Sequence, residues 1–230
     1  MFSIIINLID YTNKKKILNF FKKNLNDKLI NVIDIGAHKG ETINFFLKNF
    51  NIKKLFVFEP NKNLYEFLIK KFPQKNIFIF NYGAGFKKEK KKLNISIDSS
   101  SSTINKINMN TDYFKRKKKF LTLKKNTPYF VDVQEINIIN LSEFILNKED
   151  RIDVLKIDTE GYEFNILKGI NKLDFKKINF IYFEHHYDLM IDKGYKFSDI
   201  NKLLRVNNFT LRYKVRMKFR KSFEYIYGSN

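Results

Sequence analysis

The residues that could do chemistry stand at the ends of apolar runs. VIDIGAHKGET, residues 32–42, is a buried-strand pattern that brings Asp34 to a turn containing Gly36 and Gly40, where a helix begins. Glycine lets the backbone turn sharply and lets a ligand approach, and the helix start presents free N–H groups. This arrangement is typical of a nucleotide-cofactor site at the carboxyl end of a parallel strand. Because an acid precedes the turn, the loop suits a ligand with an ammonium group and no phosphate.

A second acid follows at a spacing that suits a nucleoside. The strand pattern FVFEP brings Glu59 to its end, 25 residues after Asp34. A carboxylate about twenty residues beyond a glycine turn accepts hydrogen bonds from ribose hydroxyls. His38 stands where the second glycine of a dinucleotide-binding loop belongs, which disfavours an NAD-dependent enzyme, and the Gly-Lys-Ser/Thr ending of a P-loop is missing. The two acids therefore predict a nucleoside cofactor without a pyrophosphate.

Two later strands add further polar residues. VLKIDTEGYEFNILKG begins at residue 154 and IYFEHHYD at residue 181, and both deliver charged groups to a strand end. These groups are Lys156, Asp158, Glu160, Glu184, His185 and His186. Because parallel strands end at one edge of a sheet, we expect the acids at these strand ends to converge on one cleft, namely Asp34, Glu59, Asp158, Glu160 and Glu184.

Some of these side chains have alternative roles. Adjacent side chains on a strand point in opposite directions, so at most one of His185 and His186 is expected to face the cleft. Glu160, Glu163 and Glu184 together with a histidine are candidate ligands for Mg²⁺, which prefers carboxylates and water. The competing interpretation is that these acids cap a helix and orient a cofactor, with no metal bound.

Strand and helix patterns alternate along most of the chain, which predicts βαβ units and a parallel sheet. The predicted strands are 31–35, 54–58, 76–80, 130–139, 153–157 and 178–183, and the predicted helices are 14–26, 41–49, 61–71, 142–147, 162–168 and 198–206. From Leu211 to Arg220 apolar and basic residues alternate, which predicts an edge strand with one cationic face. Phe223–Tyr227 is predicted to pair with it as an antiparallel hairpin.

The middle of the chain is less regular. Residues 86–97 are predicted to form a hairpin that turns through the KKEKKK run. Residues 98–126, which contain four successive serines, are predicted to form a mobile surface connection or a lid over the site. The whole pattern predicts an N-terminal helical extension over residues 1–30 and one α/β domain over residues 31–230.

Composition limits the function classes. The 230 residues are 43% hydrophobic, which excludes wholesale disorder. No apolar run reaches the roughly 18 residues of a membrane-spanning helix. With no cysteine and no signal peptide, we expect a cytoplasmic protein without disulfides or thiolate metal sites. The net charge of +20 attracts nucleic acid, but only six of the 44 basic residues are Arg, so a nucleic-acid partner is not favoured.

Several motifs together resemble a known family. VIDIGAHKGET, VFEPN, the NYGAG turn, KIDTEGYEFNILKG and FEHH are similar to the successive motifs of the FkbM-type methyltransferases. These are class I S-adenosylmethionine-dependent enzymes, and many methylate sugar hydroxyls. The resemblance covers about residues 30–190. It departs at Asn140-Leu141-Ser142, where Thr-Leu-Asp is expected, and Ser142 is predicted to cap the helix there.

The resemblance implies a Rossmann-like fold, with a seven-stranded, mostly parallel sheet and an antiparallel C-terminal hairpin. It also implies roles for site residues. The methionine side of the cofactor would be lined by Asp34, Gly36, Ala37, His38 and Gly40. Glu59 would hold the ribose, and the adenine would be bordered by Asn81, Tyr82, Gly83 and Ala84. Asp158 would lie beside the sulfonium, and the acceptor side would include Lys156, Glu160 and Glu184.

The expected function is O-methylation of a saccharide or glycoconjugate, with Asp158, His185 or His186 removing the hydroxyl proton. A phosphorylated acceptor, held by Arg212, Arg216 and Arg220, is a further hypothesis. The alternatives are a nucleic-acid methyltransferase, for which the chain lacks an Asn-Pro-Pro-Tyr-type motif, and a non-catalytic basic binding module, against which the retained acids argue. The sequence favours no particular oligomeric state.

Overall fold

The computed structural model describes residues 2–25, 28–121, 128–146, 149, 151–217 and 221–230, and the side chains in these ranges except those of 2–11, 120 and 121. Some predicted positions lie outside this part of the chain. They are residue 26 of the first helix, residues 122–126 of the serine-rich connection, residue 147 of the short helix, and residues 218–220, including Arg220, of the cationic strand.

The strands are β1 (Ile30–Ile35), β2 (Ile52–Phe58), β3 (Ile77–Phe80), β4 (Gly83–Gly85), β5 (Glu89–Ser96), β6 (Phe130–Asn140), β7 (Ile152–Ile157), β8 (Ile178–His186), β9 (Phe209–Met217) and β10 (Ser222–Ser229). Within the described residues, seven of them form the main sheet in the order β3-β2-β1-β7-β8-β10-β9. The first five strands in this order pair in parallel, and β10 is antiparallel to both β8 and β9. The predicted sheet and its terminal hairpin are confirmed.

The helices are α1 (Phe2–Leu25), α2 (Glu41–Asn49), α3 (Lys62–Lys71), α4 (Asp112–Leu121), α5 (Leu141–Phe144), α6 (Glu163–Lys168), α7 (Lys172–Phe175) and α8 (Phe197–Val206). Residues of α1, α2 and α3 pack on one face of the main sheet, and residues of α5 to α8 pack on the other. Because both faces are covered, β1 and β7 are buried at every position. The helix α1 shares this core through Ile17 and Phe21. None of the described helices has the length and apolar character needed to cross a bilayer.

The predicted hairpin over residues 86–97 is wrong. Among the described residues a second, three-stranded sheet has the order β4-β6-β5, and Glu89–Lys92 of the lysine-rich run belong to β5, which is antiparallel to β6. Leu93 and Ile95 of β5 are buried against Ile136 and Ile138. Lys90 and Lys92 are exposed on this edge strand, and Lys90 pairs with Glu135 at 2.8 Å. The partner strand follows some forty residues later, so local spacing carried no sign of the pairing.

The predicted Ser142 cap is also wrong. Helix α5 begins one residue earlier, and the Asn140 side chain accepts a hydrogen bond from the Glu143 N–H at 3.2 Å. Ser142 instead accepts from the Asn171 N–H at 2.8 Å, which ties α5 to the turn before α7. The cationic strand is the edge strand β9, as predicted, but its apolar face is only partly covered, because Leu211 is 47% exposed.

Candidate active site

Two adjoining cavities lie at the carboxyl ends of the parallel strands. The β2 cavity, of about 80 Å³, is lined at the end of β2 and along β4 by Glu59, Pro60, Asn61, Gly83 and Ala84. The β8 cavity, of about 230 Å³, is lined towards β8 and β10 by Lys156, Tyr182, Glu184 and Glu224, and towards α1 and α2 by Lys14, Glu41, Thr42 and Phe45. Both cavities share the residues Gly36, His38, Ser100, Asp158 and Glu160. The predicted convergence on one edge therefore has the form of two chambers with a common wall.

Gly36 allows the ends of β1 and β7 to come together. Its φ of +83° lies in the left-handed region, and a Cβ at this position would stand 1.9 Å from the carbonyl oxygen of Asp158. The Asp158 N–H donates to the carbonyl of Ile35 at 2.9 Å and holds this close approach. A side chain of any kind would push the two strand ends apart, so the wall shared by the two cavities depends on glycine here.

Glu59 is fixed at the end of β2. Its two carboxylate oxygens accept hydrogen bonds from the backbone N–H groups of His38 and Asn61, each at 2.8 Å. The Asn81 side chain supports the same corner by donating to the carbonyls of Glu59 and Pro60 at 3.0 Å. Burial raises the pKa of Glu59 to about 7, although these N–H groups favour the ionised form. The carboxylate is thus oriented before any ligand arrives.

The four residues expected near an adenine do not all lie in the same cavity. Gly83 and Ala84 line the β2 cavity. Tyr82 lies outside it, in edge contact with Phe144 at a ring separation of 5.5 Å, and lines an open groove beside β5, β6 and α5. Asn81 acts through the backbone of Glu59 and Pro60, as described above.

Asp34 and Lys156 are register partners on β1 and β7. Asp34 is fully buried, and neither of its oxygens has a hydrogen-bond partner among the described residues. Burial raises the pKa of Asp34 to about 7, although the ammonium of Lys156 opposes this. The Lys156 Nζ donates to Asp158 Oδ2 at 2.9 Å and lies 5.0 Å from the centre of the Tyr182 ring. Asp34 therefore acts from behind the glycine turn and does not contribute to the described lining of either cavity.

Glu224 and Glu184 of the β8 cavity each accept a hydrogen bond from a neutral hydroxyl. The Tyr182 hydroxyl donates to Glu224 Oε2 at 2.6 Å, and the Ser222 hydroxyl donates to Glu184 Oε1. Burial raises the pKa of Glu224 to about 7, and the charge of Glu184 raises it further. Burial also raises the pKa of Glu160 to about 7. Glu224 was not among the predicted site residues, because its strand suggested only the closing hairpin.

The two neighbouring histidines face opposite sides of the sheet. His186 lies among carboxylates, with Nε2 3.4 Å from Glu160 Oε2 and Nδ1 3.5 Å from Asp188 Oδ2. Although burial opposes its charge, these carboxylates and Glu184 raise the pKa of His186 to about 10. His186 is therefore an imidazolium near neutral pH, with no lone pair to accept a proton.

His185 is placed in an apolar environment. Its ring packs against those of Tyr187, Tyr195 and Phe197, with centroids 4.9–5.7 Å away. Burial lowers the pKa of His185 to about 4. Within the described part of the chain, neither His185 nor His186 lines the two cavities.

The serine-rich segment lies across the cleft. Ser99 Oγ is 2.7 Å from His38 Nε2, and Asp98 accepts hydrogen bonds from the hydroxyls of Ser96 and Ser100. The Thr103 hydroxyl donates to the carbonyl of Glu160 at 2.9 Å. Sequence reasoning treated these serines as a possible lid without assigning any of them to the site, and the run of four serines was the available signal.

Three of the five described non-glycine residues with positive φ lie at the cleft. His38, Ser99 and Glu160 adopt positive φ angles of 51°, 56° and 50°. Such a conformation costs a non-glycine residue about 1 kcal/mol or more, so the surrounding contacts must hold it. All three residues line one or both cavities, which is where strained residues commonly cluster.

The Mg²⁺ alternative has no support in this arrangement. Glu163 Oε1 accepts hydrogen bonds from the Thr159 N–H, the Thr159 hydroxyl and the Gly161 N–H, and Oε2 accepts from the Tyr195 hydroxyl. Glu163 is thereby used to hold the turn between β7 and α6. In the described ranges, no group of three or more His, Asp or Glu side chains is arranged to hold a metal ion.

The donor set fits S-adenosylmethionine. An oriented carboxylate at the β2 cavity can accept hydrogen bonds from ribose hydroxyls. Asp34, with two unbonded buried oxygens close to the glycine turn, favours a ligand that carries positive charge. A cofactor with a sulfonium and an ammonium group and no phosphate meets both conditions.

Comparison with known proteins supports this fit. Residues 34–211 match the family described as Methyltransferase FkbM domain. A comparison with curated proteins gives no match. The fold is similar to that of methyltransferase FkbM from Methylobacillus flagellatus KT, with 15% identity and a TM-score of 0.51, over 86% of this chain and 44% of that chain. This chain therefore spans less than half the length of that protein.

Two further solved structures show the same fold. Magnesium protoporphyrin IX methyltransferase from Synechocystis PCC 6803, solved with bound S-adenosylmethionine, is 8% identical, with a TM-score of 0.51 over 98% of this chain and 82% of that chain. The N-methyltransferase NodS from Bradyrhizobium japonicum WM9 is 9% identical, with a TM-score of 0.50 over 97% of each chain. Since the family match spans well over half of the residues, the chain belongs to the FkbM methyltransferase family and is an S-adenosylmethionine-dependent methyltransferase.

Proposed function

We propose that the enzyme methylates a hydroxyl oxygen of a saccharide or glycoconjugate, with the nucleoside of the cofactor in the β2 cavity and the acceptor in the β8 cavity. The observation that carries this proposal is the wall that the two cavities share at Gly36, Asp158 and Glu160. Methyl transfer requires the acceptor oxygen to lie in line with the sulfur–carbon bond, so donor and acceptor sites must meet at one point. Many members of the family that the sequence resembles methylate sugar hydroxyls.

Residues of the β2 cavity and of the adjoining glycine turn would hold the cofactor. Glu59 would accept hydrogen bonds from the ribose, and Gly36, Ala37 and His38 would border the methionine portion. Asp34 would stabilise the positive charge from behind the turn. When bound, S-adenosylmethionine supplies an electrophilic methyl group, whose bond to sulfur breaks as the bond to the acceptor oxygen forms.

Glu160 is the best-placed base for the hydroxyl proton. It lines both cavities, and its pKa of about 7 lets it accept a proton near neutral pH. Asp158 also lines both cavities, and the Lys156 ammonium 2.9 Å from its Oδ2 fixes its orientation. In this proposal Asp158 positions the acceptor hydroxyl and Glu160 takes its proton. His186, as a buried cation, holds the carboxylate of Glu160 in place.

The hypothesis of a phosphorylated acceptor is not supported at the cavity itself. Arg212 donates to the Ser229 carbonyl and to the Asn230 side chain, at the exposed outer edge of the sheet. Neither Arg212 nor Arg216 belongs to the described lining of the β8 cavity. A phosphate on the reacting sugar would instead meet several carboxylates.

Calorimetric titration with S-adenosylhomocysteine tests the cofactor site. Glu59→Gln should weaken binding by about tenfold or more, since hydrogen bonds to a charged group contribute about 1.5–3 kcal/mol. Glu66→Gln, on the exposed surface of α3, is the matched control and should leave binding unchanged. Absence of binding by the folded wild-type protein would contradict the placement of the cofactor in this cleft.

Transfer of a labelled methyl group from S-adenosylmethionine to a panel of free sugars and sugar nucleotides tests the acceptor class. Glu160→Gln should lower kcat by about 10²–10⁴-fold, the usual contribution of a general base. Asp192→Asn, an exposed carboxylate, is the control. Transfer to an RNA oligonucleotide, with a steep salt dependence and no transfer to any saccharide, would replace this proposal with the nucleic-acid alternative.

A further inference from the structure

We infer that the acceptor is an amino sugar, whose positively charged amino group binds between Glu184 and Glu224 while a neighbouring hydroxyl is methylated. This inference rests on the proposed function and names the substrate class of the same cavity. It starts from a contrast of charge between the interior and the surface of the protein.

The β8 cavity is acidic inside a basic protein. The chain carries a net charge of +20, yet five carboxylates line this cavity against the ammonium groups of Lys14 and Lys156. The five carboxylates are those of Glu41, Asp158, Glu160, Glu184 and Glu224. The buried imidazolium of His186 supplies one further cation, so acidic groups outnumber cationic groups by two. Because the pKa values of Glu160 and Glu224 are raised to about 7, protons compensate part of this excess near neutral pH, and a cationic acceptor would displace them. Because lysine is so abundant elsewhere in the chain, an excess of acids at this one place does not follow from composition.

The cofactor does not neutralise this excess. S-adenosylmethionine brings a sulfonium, an ammonium and a carboxylate, a net charge of one. Asp34, which is fully buried beside Lys156, adds a negative charge close to the methionine portion. Acidic groups therefore still outnumber cationic groups on the acceptor side after the cofactor has bound, and a cationic acceptor would compensate the excess.

The excess of acidic groups is greatest where β8 and β10 lie side by side. Glu184 on β8 and Glu224 on β10 are directly opposite each other in the antiparallel register. Like charges in this position repel and destabilise a sheet unless something lies between them. Each carboxylate has one neutral hydroxyl donor, from Ser222 and Tyr182 respectively, and both line the cavity. The nearest cations are shared with other acids: His186, 3.8 Å from Glu184 Oε1, also contacts Glu160, and Lys156, whose charge acts on Glu224, also faces Asp158 and Asp34. An ammonium group, which donates three hydrogen bonds, would add a positive charge to this pair.

A metal ion is the less suitable occupant. Of the side chains described, no third His, Asp or Glu completes a metal site around this pair. The hydroxyl of Tyr182 already donates to Glu224, so the remaining oxygens suit a hydrogen-bond donor. A neutral or anionic sugar would add no positive charge to the two facing carboxyls, whereas an amino sugar would. The cavity therefore discriminates among sugars by charge.

The test compares sugars that share one ring and differ in charge. Labelled methyl transfer by the full chain would be measured with glucosamine, N-acetylglucosamine and glucuronic acid. We expect kcat/KM to be about tenfold or more higher for glucosamine than for N-acetylglucosamine, with no transfer to glucuronic acid. Mass spectrometry should place the methyl group on oxygen. Equal or greater activity on N-acetylglucosamine or glucuronic acid would overturn the inference.

Two variants show whether Glu184 and Glu224 are responsible for the preference for glucosamine. Glu224→Gln should lower the ratio of kcat/KM for glucosamine to that for N-acetylglucosamine by about tenfold. It should leave the affinity for S-adenosylhomocysteine within about twofold of the wild type. Glu135→Gln, a surface carboxylate paired with Lys90, should change neither quantity. If Glu224→Gln does not fold, the wild-type preference alone decides. Saccharide methylation without a charge preference refutes this inference alone, whereas no transfer to any saccharide refutes the proposed function as well.

Discussion

Replacing Lys156 by Met should destabilise the protein in a manner that depends on pH. The Lys156 side chain is 4% exposed, and its ammonium is the charged partner of Asp158 Oδ2 at 2.9 Å. The carboxylates of Asp158, Glu224 and Asp34 all raise the pKa of Lys156 against the effect of burial. Methionine fills a similar volume but leaves these three acids without their cation.

The size of the loss follows from this burial. Removing one partner of a buried ion pair costs about 3–5 kcal/mol. Because the Asp158 side chain is 34% exposed, solvent screens part of the effect, and we expect a loss of about 3 kcal/mol at pH 8. For a chain of this size, that corresponds to a fall in Tm of about 6–12 °C. The control is Lys54→Met: Lys54 contacts Glu149 at 2.8 Å but is 39% exposed, so the expected loss is below about 1 kcal/mol.

The pH dependence separates an electrostatic cause from a packing defect. Without Lys156 the folded-state pKa values of Asp34 and Glu224, which are already raised to about 7, would lie further above their unfolded values. A carboxyl of this kind stabilises the fold at low pH and loses that contribution as the pH rises through the folded pKa. The difference between wild type and variant should therefore be smaller near pH 5.5 than near pH 8 in thermal and denaturant unfolding. A difference below about 1 kcal/mol at pH 8, or one that is equal at both pH values, would refute the reasoning.

Three further outcomes are expected. Gly36→Ala should cost more than about 2 kcal/mol and abolish S-adenosylhomocysteine binding in calorimetry, because the new Cβ would lie 1.9 Å from a carbonyl oxygen; a variant with wild-type Tm and affinity would contradict this. Four carboxyls, those of Asp34, Glu59, Glu160 and Glu224, have a pKa raised to about 7, so the unliganded wild type should lose stability as the pH rises from about 4 to 7. Cofactor binding should therefore raise Tm more near pH 8 than near pH 5.5, and scanning fluorimetry would measure this difference. His185→Phe should retain most methyl transfer, because the His185 ring packs among aromatic rings. His186→Gln should lower kcat, because the carboxylate of Glu160 loses its cation. Equal losses of activity in the two variants would be inconsistent with these environments.

Local patterns predicted much of the cleft. A glycine turn after a buried strand, an acid at the end of the next strand, and Lys156-x-Asp158 at the end of a third are all features of short segments. Their positions follow from the parallel sheet, because its strands end at one edge. Gly36, Glu59, Asp158, Glu160 and Glu184 are therefore found together by reasoning from the strand ends alone.

Other features depended on contacts between distant segments. The lysine run of β5 became a strand because Leu93 and Ile95 pack on β6, about forty residues later. Glu224 entered the site because β10 lies beside β8 and brings it opposite Glu184. Neither pairing leaves a trace in local periodicity.

The electrostatic environment of each side chain also depended on the tertiary structure. His185 and His186 are adjacent in the chain, yet one has a lowered and the other a raised pKa, because they face an aromatic cluster and a group of carboxylates. The type and spacing of residues thus determined the fold and the cofactor edge, since these depend on hydrophobic periodicity and turn chemistry within short segments. Only the tertiary structure decided which side chains share a cavity and which are charged there, because strand register and burial are set by residues far apart in sequence.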